Sequence, residues 1–299
     1  MLISPTGIFA DAFGEHLAEQ YDQAYGRREP RFAEIIREGA RLVFERLSVS
    51  DALYHNAEHT AFVTLVGQDI LRGERLKHDV TPVDWLHFTI ATLTHDIGYV
   101  RGVCEGDRGG SYVRNERGEV FALARGASDA ALAPYHIERS KIAVRERFAS
   151  HQFIDAERIA AAIELTRFPV PNDEDHRETD TEAGLVRAAD LIGQLADPFY
   201  PRKLNALFYE FQEIGCNASL GYKSPADIAD HYPRFFWTKV EPFVGNAMNY
   251  LALTVQGRQW TANLYCNVFE MEHGIRRMGP ESKREDIPEV RKIEISTRR

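Results

Sequence analysis

The chain has 299 residues, 44% of them hydrophobic, and a formal net charge of −9. This composition is ordinary for a globular protein with a buried core, and the length suits two average domains or one large helical domain. An acidic chain has no general electrostatic attraction to nucleic acid or anionic lipid, so we expect neither as a partner. If the substrate carries phosphate, a bound metal would have to supply the local positive charge.

The cysteines and the amino terminus indicate a cytoplasmic protein. Cys104, Cys216 and Cys266 are far apart and form no CxxC pair, which argues against a zinc ribbon or a thioredoxin-like motif. A sparse, odd set of cysteines fits a reducing compartment. The first fifteen residues lack a basic start followed by an apolar run, so no signal peptide is predicted.

The first third of the chain predicts successive amphipathic helices. A short helix is expected at about 15–25, and apolar residues at helical spacing predict another at about 31–48. Asn56 is the expected cap of the next helix. This cap would leave His55 just outside the helix and put His59 in its first turn.

A second pair of polar residues follows at the end of another predicted helix. Thr81 and the proline after it form a helix start, because proline suits the first helical position. The apolar stripe that follows puts His95 and Asp96 at the far end of this helix. Gly98 is the expected terminator.

The remainder predicts more helices around one irregular segment. Glycines and charges make 100–134 a long loop, with a hairpin around Tyr112 and Val120, and we expect it to cover the site. Further helices are predicted at about 135–148, 154–167, 181–195, 201–214, 225–254 and 258–275. The sequence therefore predicts an all-α fold, a single domain over 1–275, and a charged, mobile tail over 276–299.

Four of these residues have the chemistry of a metal site. His59, His95, Asp96 and Asp190 supply two imidazoles and two carboxylates, the ligands that divalent Mn, Mg, Zn or Fe accept. Asp190 interrupts an otherwise buried-looking helix, where a carboxylate is costly unless it is paired or bound to metal. An ion pair with Arg187, or a hydrogen bond to a hydroxyl, is the alternative for Asp190. We expect one or two metal ions.

His55 is the expected general acid. A histidine outside the metal ligands titrates near neutrality and can donate a proton to a leaving alkoxide. The alternative is a surface histidine beside the helix cap.

The combination of these motifs resembles the HD-domain metal phosphohydrolases, and within them the catalytic domain of cyclic nucleotide phosphodiesterases. Tyr54–His59 reads Tyr-His-Asn-x-x-His, and His95–Gly98 reads His-Asp-x-Gly. The resemblance runs from about Tyr54 to Leu253 and implies a metal-site core at about 54–195. It implies that Asp96 bridges two metals and acts in catalysis, and that Asp190 is the late metal-binding aspartate.

The resemblance also implies roles for residues that spacing alone does not single out. Glu138 resembles the acid that orients metal-bound water, so it is a predicted catalytic residue. Thr166 falls where the family has a site residue near the second metal. His136, at the start of a predicted helix, resembles a second-metal ligand of broader HD proteins. A structural histidine facing the loop is the alternative reading of His136.

The chain departs from the phosphodiesterases where those enzymes recognise the base. Tyr99 stands in place of a second histidine, and Tyr232 in place of the purine-binding glutamine. Phe235 matches the aromatic base clamp. The predicted substrate-binding residues are Tyr54, Asn56, Tyr99, Thr166, Gln194, Tyr232 and Phe235.

The leading prediction is hydrolysis of a small phosphoester, most of all a cyclic nucleotide-like phosphodiester. Metal-activated hydroxide would attack phosphorus while His55 protonates the leaving oxygen. An HD-type di-iron oxygenase and a non-catalytic metal-containing sensor or binding module are the alternatives. The sequence leaves a homo-oligomer open.

Overall fold

The computed structural model describes residues 4–274 of the chain. The predicted tail at 276–299 lies outside the described residues. The architecture is all-α with one small two-stranded sheet, as predicted. The helices of the first half are α1 (Pro5–Tyr25), α2 (Pro30–Leu47), α3 (Ala57–Glu74), α4 (Pro82–Thr94), α5 (His136–Phe148) and α6 (Ala156–Leu165). The second half contains α7 (Glu182–Leu195), α8 (Tyr200–Glu213), α9 (Cys216–Leu220), α10 (Pro225–Phe235), α11 (Glu241–Leu251) and α12 (Val255–Glu272).

The helix starts follow the predicted caps. The side chain of Asn56 accepts hydrogen bonds from the backbone of Glu58 and His59, which fixes the start of α3. Thr81 forms a capping box with Asp84 at the start of α4. Both predictions are confirmed.

Helix α1 is longer than predicted. It begins at Pro5, capped by Ser4, rather than near residue 15. Its buried stripe includes Ala10, Gly14 and Ala18, and such small residues give a weak apolar period in the sequence. A side chain at Gly14 would meet the carbonyl oxygen of Arg37 at 2.8 Å, so a small residue is required where α1 packs on α2.

The predicted helix at about 225–254 is two helices. A π-helical turn at Phe236–Val240 separates α10 from α11. Pro242 lies in the first turn of α11, and a proline there has no backbone N–H to continue the hydrogen bonds of the preceding helix. The helix boundary is therefore set by backbone chemistry rather than by a change of polarity.

The long loop between α4 and α5 contains the predicted hairpin. Strand β1 (Ser111–Val113) pairs antiparallel with β2 (Val120–Ala122). Arg139 of α5 is fully buried and holds the loop through the carboxylate of Asp107 and the carbonyl oxygen of Val113. The loop is thus tied to the helix that begins at His136.

Two glycines allow the elements of the site to meet. Gly98 does not terminate α4, which ends at Thr94; it lies in a 3₁₀ turn packed on α5. A side chain at Gly98 would meet the backbone of His136 and the amide of Ser140, the latter at 2.7 Å. A side chain at Gly193 of α7 would meet the Cα atom of Val63 in α3 at 2.7 Å.

The core is continuous across the helices. Its largest fully buried apolar side chains include Trp85, Phe44, Phe88, Tyr200 and Phe236. Among the helices between residues 4 and 274, none has the length and apolar character that crossing a bilayer requires.

Candidate metal centre

The structure brings the four predicted ligands together. His59 lies in the first turn of α3, His95 and Asp96 follow the end of α4, and Asp190 lies on α7. The Oδ2 atom of Asp96 is 3.4 Å from Nε2 of His59 and 3.3 Å from Nε2 of His95. The Oδ1 atom of Asp190 is 3.3 Å from Nε2 of His59 and 3.6 Å from Nε2 of His95. These atoms converge on one point.

The donor set fits a metal ion. Oδ2 of Asp96 is buried and forms no hydrogen bond with any residue that the structure describes. Nδ1 of His95 donates to the carbonyl oxygen of Thr92 at 2.8 Å, which directs Nε2 toward the carboxylates, where a metal ion would replace its proton. The buried group of His59, His95 and Asp96 could therefore hold a metal ion, with Asp190 beside it.

The charges of this group attract a cation. Burial opposes ionisation, but His95 and His59 hold the pKa of Asp96 well below its usual range. The pKa of Asp190 is lowered to about 2 for the same reason. Both carboxylates are charged at neutral pH, and a divalent ion would compensate two buried negative charges that otherwise incur a large desolvation penalty.

His136 lies at the edge of this group. Its Nε2 atom is 3.7 Å from Oδ1 of Asp96, on the opposite oxygen from His59 and His95. Its Nδ1 atom donates to the carbonyl oxygen of Ala133 at 2.6 Å. Burial lowers the pKa of His136, so its imidazole is neutral at neutral pH and can act as a ligand. The structure therefore provides a fifth donor on the far side of Asp96.

His55 lies outside the ligand group and has its own partner. Its Nδ1 atom is 2.6 Å from Oε2 of Glu210, on α8. The other oxygen of Glu210 accepts hydrogen bonds from the backbone amides of Tyr54 and His55. Burial lowers the pKa of His55, but Glu210, with help from Asp96 and Asp190, raises it to about 9. His55 is therefore protonated at neutral pH.

Tyr99 links the two peripheral histidines. Its ring stacks on His55 at 4.6 Å and 7°, and on His136 at 4.6 Å and 29°. Burial raises the pKa of Tyr99 well above its usual value, so the phenol stays neutral. Tyr99 is therefore an aromatic spacer between His55 and His136.

The group is open on one side. The side chains of His55, His136 and Asp190 are 17%, 19% and 19% exposed, whereas those of His59 and His95 are 4% and 1% exposed. A molecule arriving from solvent would meet the first three residues. A separate cavity of about 140 Å³ lies beside His59 and is lined by Tyr54, Phe62, Asp197 and Lys203 among others.

Two predicted substrate-binding residues serve the framework of the site. The side-chain amide of Asn56 forms hydrogen bonds with the backbone. Its oxygen accepts from the amides of Glu58 and His59, and its nitrogen donates to the carbonyl oxygen of Leu53. Tyr54 is buried and contacts the rings of His55 and His59 at 5.2 and 5.6 Å. Both residues adjoin the histidines, as predicted from their place in the motif.

The described contacts of four further predicted substrate-binding residues are with residues outside the His–Asp group. Gln194 donates to the hydroxyl of Tyr200 at 3.5 Å, and Tyr232 is buried with its ring 5.3 Å from that of Tyr200. Phe235 packs on Phe168 at 5.6 Å. The hydroxyl of Thr166, which is also buried, donates to the carbonyl oxygen of Ile163. The contacts of these side chains are therefore with neighbouring helices and loops.

Glu138 is engaged in an ion-pair cluster. Its carboxylate binds Lys141 at 3.2 Å and Arg167 at 2.5 Å, and Glu164 binds the same two cations. The described contacts of Glu138 are with this cluster and not with the His–Asp group. Its predicted catalytic role stays a prediction.

Glu210 is the site residue that sequence reasoning missed. It lies on the apolar stripe of α8 between Leu207 and Phe211 and is 3% exposed. A carboxylate on an inward stripe is the signal that identified Asp190, and it was present here too. The Lys203–Asp197 pair beside His59 was missed as well, since neither residue belongs to a motif.

Comparison with known proteins identifies a family. No curated protein and no solved structure shows significant similarity to the chain. A family model described as Npun_R2479-like matches residues 3–274, which is most of the chain. The protein belongs to the Npun_R2479-like family.

Proposed function

We propose that the protein is a metal-dependent hydrolase of small phosphoesters, similar to the HD-domain phosphohydrolases. The observation that carries the proposal is the separation of two kinds of histidine. His59 and His95 face two carboxylates, whereas His55 is held apart by Glu210 and is protonated at neutral pH. A structural metal site has no need of a buried, oriented acid beside it.

In such a reaction each of these residues would have a separate role. His59, His95, Asp96 and Asp190 would hold the ion, with His136 available to a second one. A bound divalent ion supplies charge neutralisation at the phosphoryl oxygens and an activated water. His55 donates its Nε2 proton to the leaving oxygen, and Glu210 keeps the imidazolium oriented and charged until it does so. Tyr99 stops the ring of His55 from rotating away, since it covers one face of that ring.

A small phosphorylated molecule, with a cyclic nucleotide as a candidate, suits the exposed side of the group. The overall charge of −9 gives no attraction for a polyanion, so a small substrate is favoured over a nucleic acid. Phe235, which the resemblance assigns as the base clamp, has Phe168 as its aromatic neighbour. Tyr232 has no amide with which to read a purine as the phosphodiesterase glutamine does.

The decisive experiment combines a substrate screen with three single variants. Manganese-loaded protein is assayed on cyclic nucleotides, nucleoside monophosphates and a chromogenic phosphodiester. We expect His55→Ala to keep its metal and lose turnover by about 10²–10⁴-fold. We expect His59→Ala to lose both metal and turnover. His231→Ala, at an exposed histidine of α10 whose Nδ1 atom bonds to its own helix, should retain both.

Full turnover by His55→Ala would remove His55 from the mechanism. Absence of turnover on every substrate by metal-loaded protein would favour the non-catalytic sensor.

One observation favours a second candidate, an HD-type di-iron oxygenase. His136 approaches Oδ1 of Asp96, the oxygen other than the one nearest His59 and His95, as a ligand of a second iron would. Thr166 weakens this candidate, because its hydroxyl donates to a carbonyl where an oxygenase would want another histidine. Metal analysis and electron paramagnetic resonance of protein produced without added metal separate the two. A mixed-valence di-iron signal would favour the oxygenase.

A further inference from the structure

A second cavity lies between α2, α4 and α5. Its volume is about 470 Å³, within the range of small-molecule sites in proteins. Its wall is mostly apolar and includes Ile35, Val43, Ile90, Leu93, Val144 and Phe148. Its polar side chains are Glu38, Arg46, Thr94, Arg147 and His151.

The two arginines of this cavity are free of ion pairs. Arg41 on α2 pairs with Glu45, and Arg145 on α5 pairs with Glu157. Arg46 and Arg147, on the same two helices, pair with no acidic residue between positions 4 and 274. Both guanidinium groups therefore line the cavity without an acidic partner among the described residues.

We propose that this cavity binds a small anionic amphiphile, of the class of an aliphatic carboxylate. The apolar wall removes the hydrocarbon part from water. Arg46 and Arg147 bind the carboxylate, because a guanidinium matches the two oxygens of a carboxylate and is less strongly hydrated than an ammonium. Glu38 is the single acidic side chain that lines the cavity.

The site adjoins the candidate metal centre through the backbone. Thr94 and Ile97 line the cavity, and they flank His95 and Asp96 in the chain. A ligand in the cavity would therefore contact the segment that carries two predicted metal ligands. The binding proposal does not rest on the proposed hydrolase activity and can be tested without it.

The test is calorimetric titration of the full-length protein with sodium decanoate and with 1-decanol. We expect saturable binding of one decanoate and at least about tenfold weaker binding of decanol, since the alcohol has no charge for the arginines. Arg46→Met with Arg147→Met should weaken decanoate binding by about tenfold and leave decanol binding unchanged. Val103→Trp, which fills the cavity from the loop after Gly102, should abolish both.

Arg234→Met is the matched control. Like Arg46 and Arg147, Arg234 is an exposed arginine in the last turn of its helix, where a positive charge also compensates the helix dipole. Its loss should leave decanoate binding unchanged. Leu42→Trp, at a side chain already 36% exposed on the cavity rim, replaces Val103→Trp if that variant does not fold.

Three results would overturn the proposal. These are equal affinity for decanoate and decanol, decanoate binding that survives the filling variants, and no decanoate binding at all. If no decanoate binds because a dimer covers this face, the occupant of the cavity is a second copy of the chain and the proposal is also overturned.

Discussion

The pair formed by His55 and Glu210 shows how one buried carboxylate can orient a histidine and keep it protonated. One oxygen of Glu210 binds the imidazole, and the other accepts two backbone amides at the segment that precedes α3. The backbone and the ring are therefore fixed by the same side chain. Because Glu210 is buried, its attraction for the imidazolium is little screened by solvent, and this keeps His55 protonated.

Glu210→Gln should shift the pH dependence of turnover. With a pKa of about 9, His55 is protonated below that pH, and activity that needs its proton is lost as the pH rises through about 9. Glutamine can keep a hydrogen bond but not the charge, so the alkaline limb should move toward neutral pH. The measurement is the pH profile of kcat on the best substrate.

Glu213→Gln is the control for this variant. Glu213 lies on the same helix but binds Ser128, away from the histidines. Its profile should match that of the wild type. An unchanged profile in Glu210→Gln would show that Glu210 does not set the titration of His55.

Glu74, the last residue of α3, also has a shifted pKa. Burial raises its pKa to about 7, with added repulsion from Asp180, Asp84 and Glu182. A raised carboxyl pKa contributes stability below the unfolded value of about 4.5, and this contribution is lost as the pH rises through about 7.

Glu74→Gln should remove this pH dependence. The wild type should lose about 1–2 kcal/mol of unfolding free energy between pH 4.5 and 8 through this residue. The variant should lose correspondingly less over the same interval, as measured by urea denaturation at each pH. Parallel stability curves for the two proteins would contradict the prediction.

At the scale of elements, two close helix contacts assemble the metal centre. Gly98 lets the turn after α4 pack against α5, which brings Asp96 near His136. Gly193 lets α7 approach α3, and Asp190 lies one turn before it, facing His59. The ligand distances are therefore set by backbone approach, and a single methyl group would increase them.

Gly98→Ala and Gly193→Ala should each destabilise the fold and weaken metal binding. The added Cβ atom collides with backbone, which cannot move aside as a flexible side chain can, so we expect a cost of about 2 kcal/mol or more. The measurements are the urea midpoint and the affinity for Mn²⁺. Gly245→Ala is the matched control, because outside its chain neighbours and its own helix backbone the added methyl group would have no atom within 4 Å. That control should be neutral or more stable by up to about 1 kcal/mol.

At the scale of the whole molecule, the metal would join elements that are distant in sequence. The ligands come from α3, the end of α4 and α7, with α5 at the edge. A ligand that binds only the folded state stabilises it by mass action. We therefore expect Mn²⁺ or Zn²⁺ at 100 times its Kd to add about 2.7 kcal/mol and to raise the Tm by several degrees.

This stabilisation should depend on the ligand set and on pH. Asp190→Asn should show little or no rise in Tm with metal, and a chelator should reverse the rise in the wild type. The affinity for the metal should fall as the pH falls. Burial opposes the protonation of His95, but the charges of Asp96 and Asp190 outweigh burial and raise the pKa of His95 well above its usual value. A metal must displace that proton. If metal raises the Tm of Asp190→Asn as much as that of the wild type, the metal binds at another site.

Local chemistry in the sequence was sufficient for most of the helices and for the residue types of the candidate ligands. Asn56 and Thr81 mark their helix starts because capping depends on neighbouring residues alone. His59, His95 and Asp96 could be recognised because their spacing puts them at helix ends. Asp190 stood out because a lone carboxylate in an apolar helix needs a partner.

Tertiary structure decided everything that depends on which surfaces meet. Three contacts of the site join segments that are far apart in the chain. They are the pairing of His55 with Glu210, the stacking of Tyr99 between two imidazoles, and the approach of His136 to Asp96. Gly98 shows the difference most directly. By itself it was a plausible helix terminator, and only the packing of α5 against it reveals why a side chain has no room there.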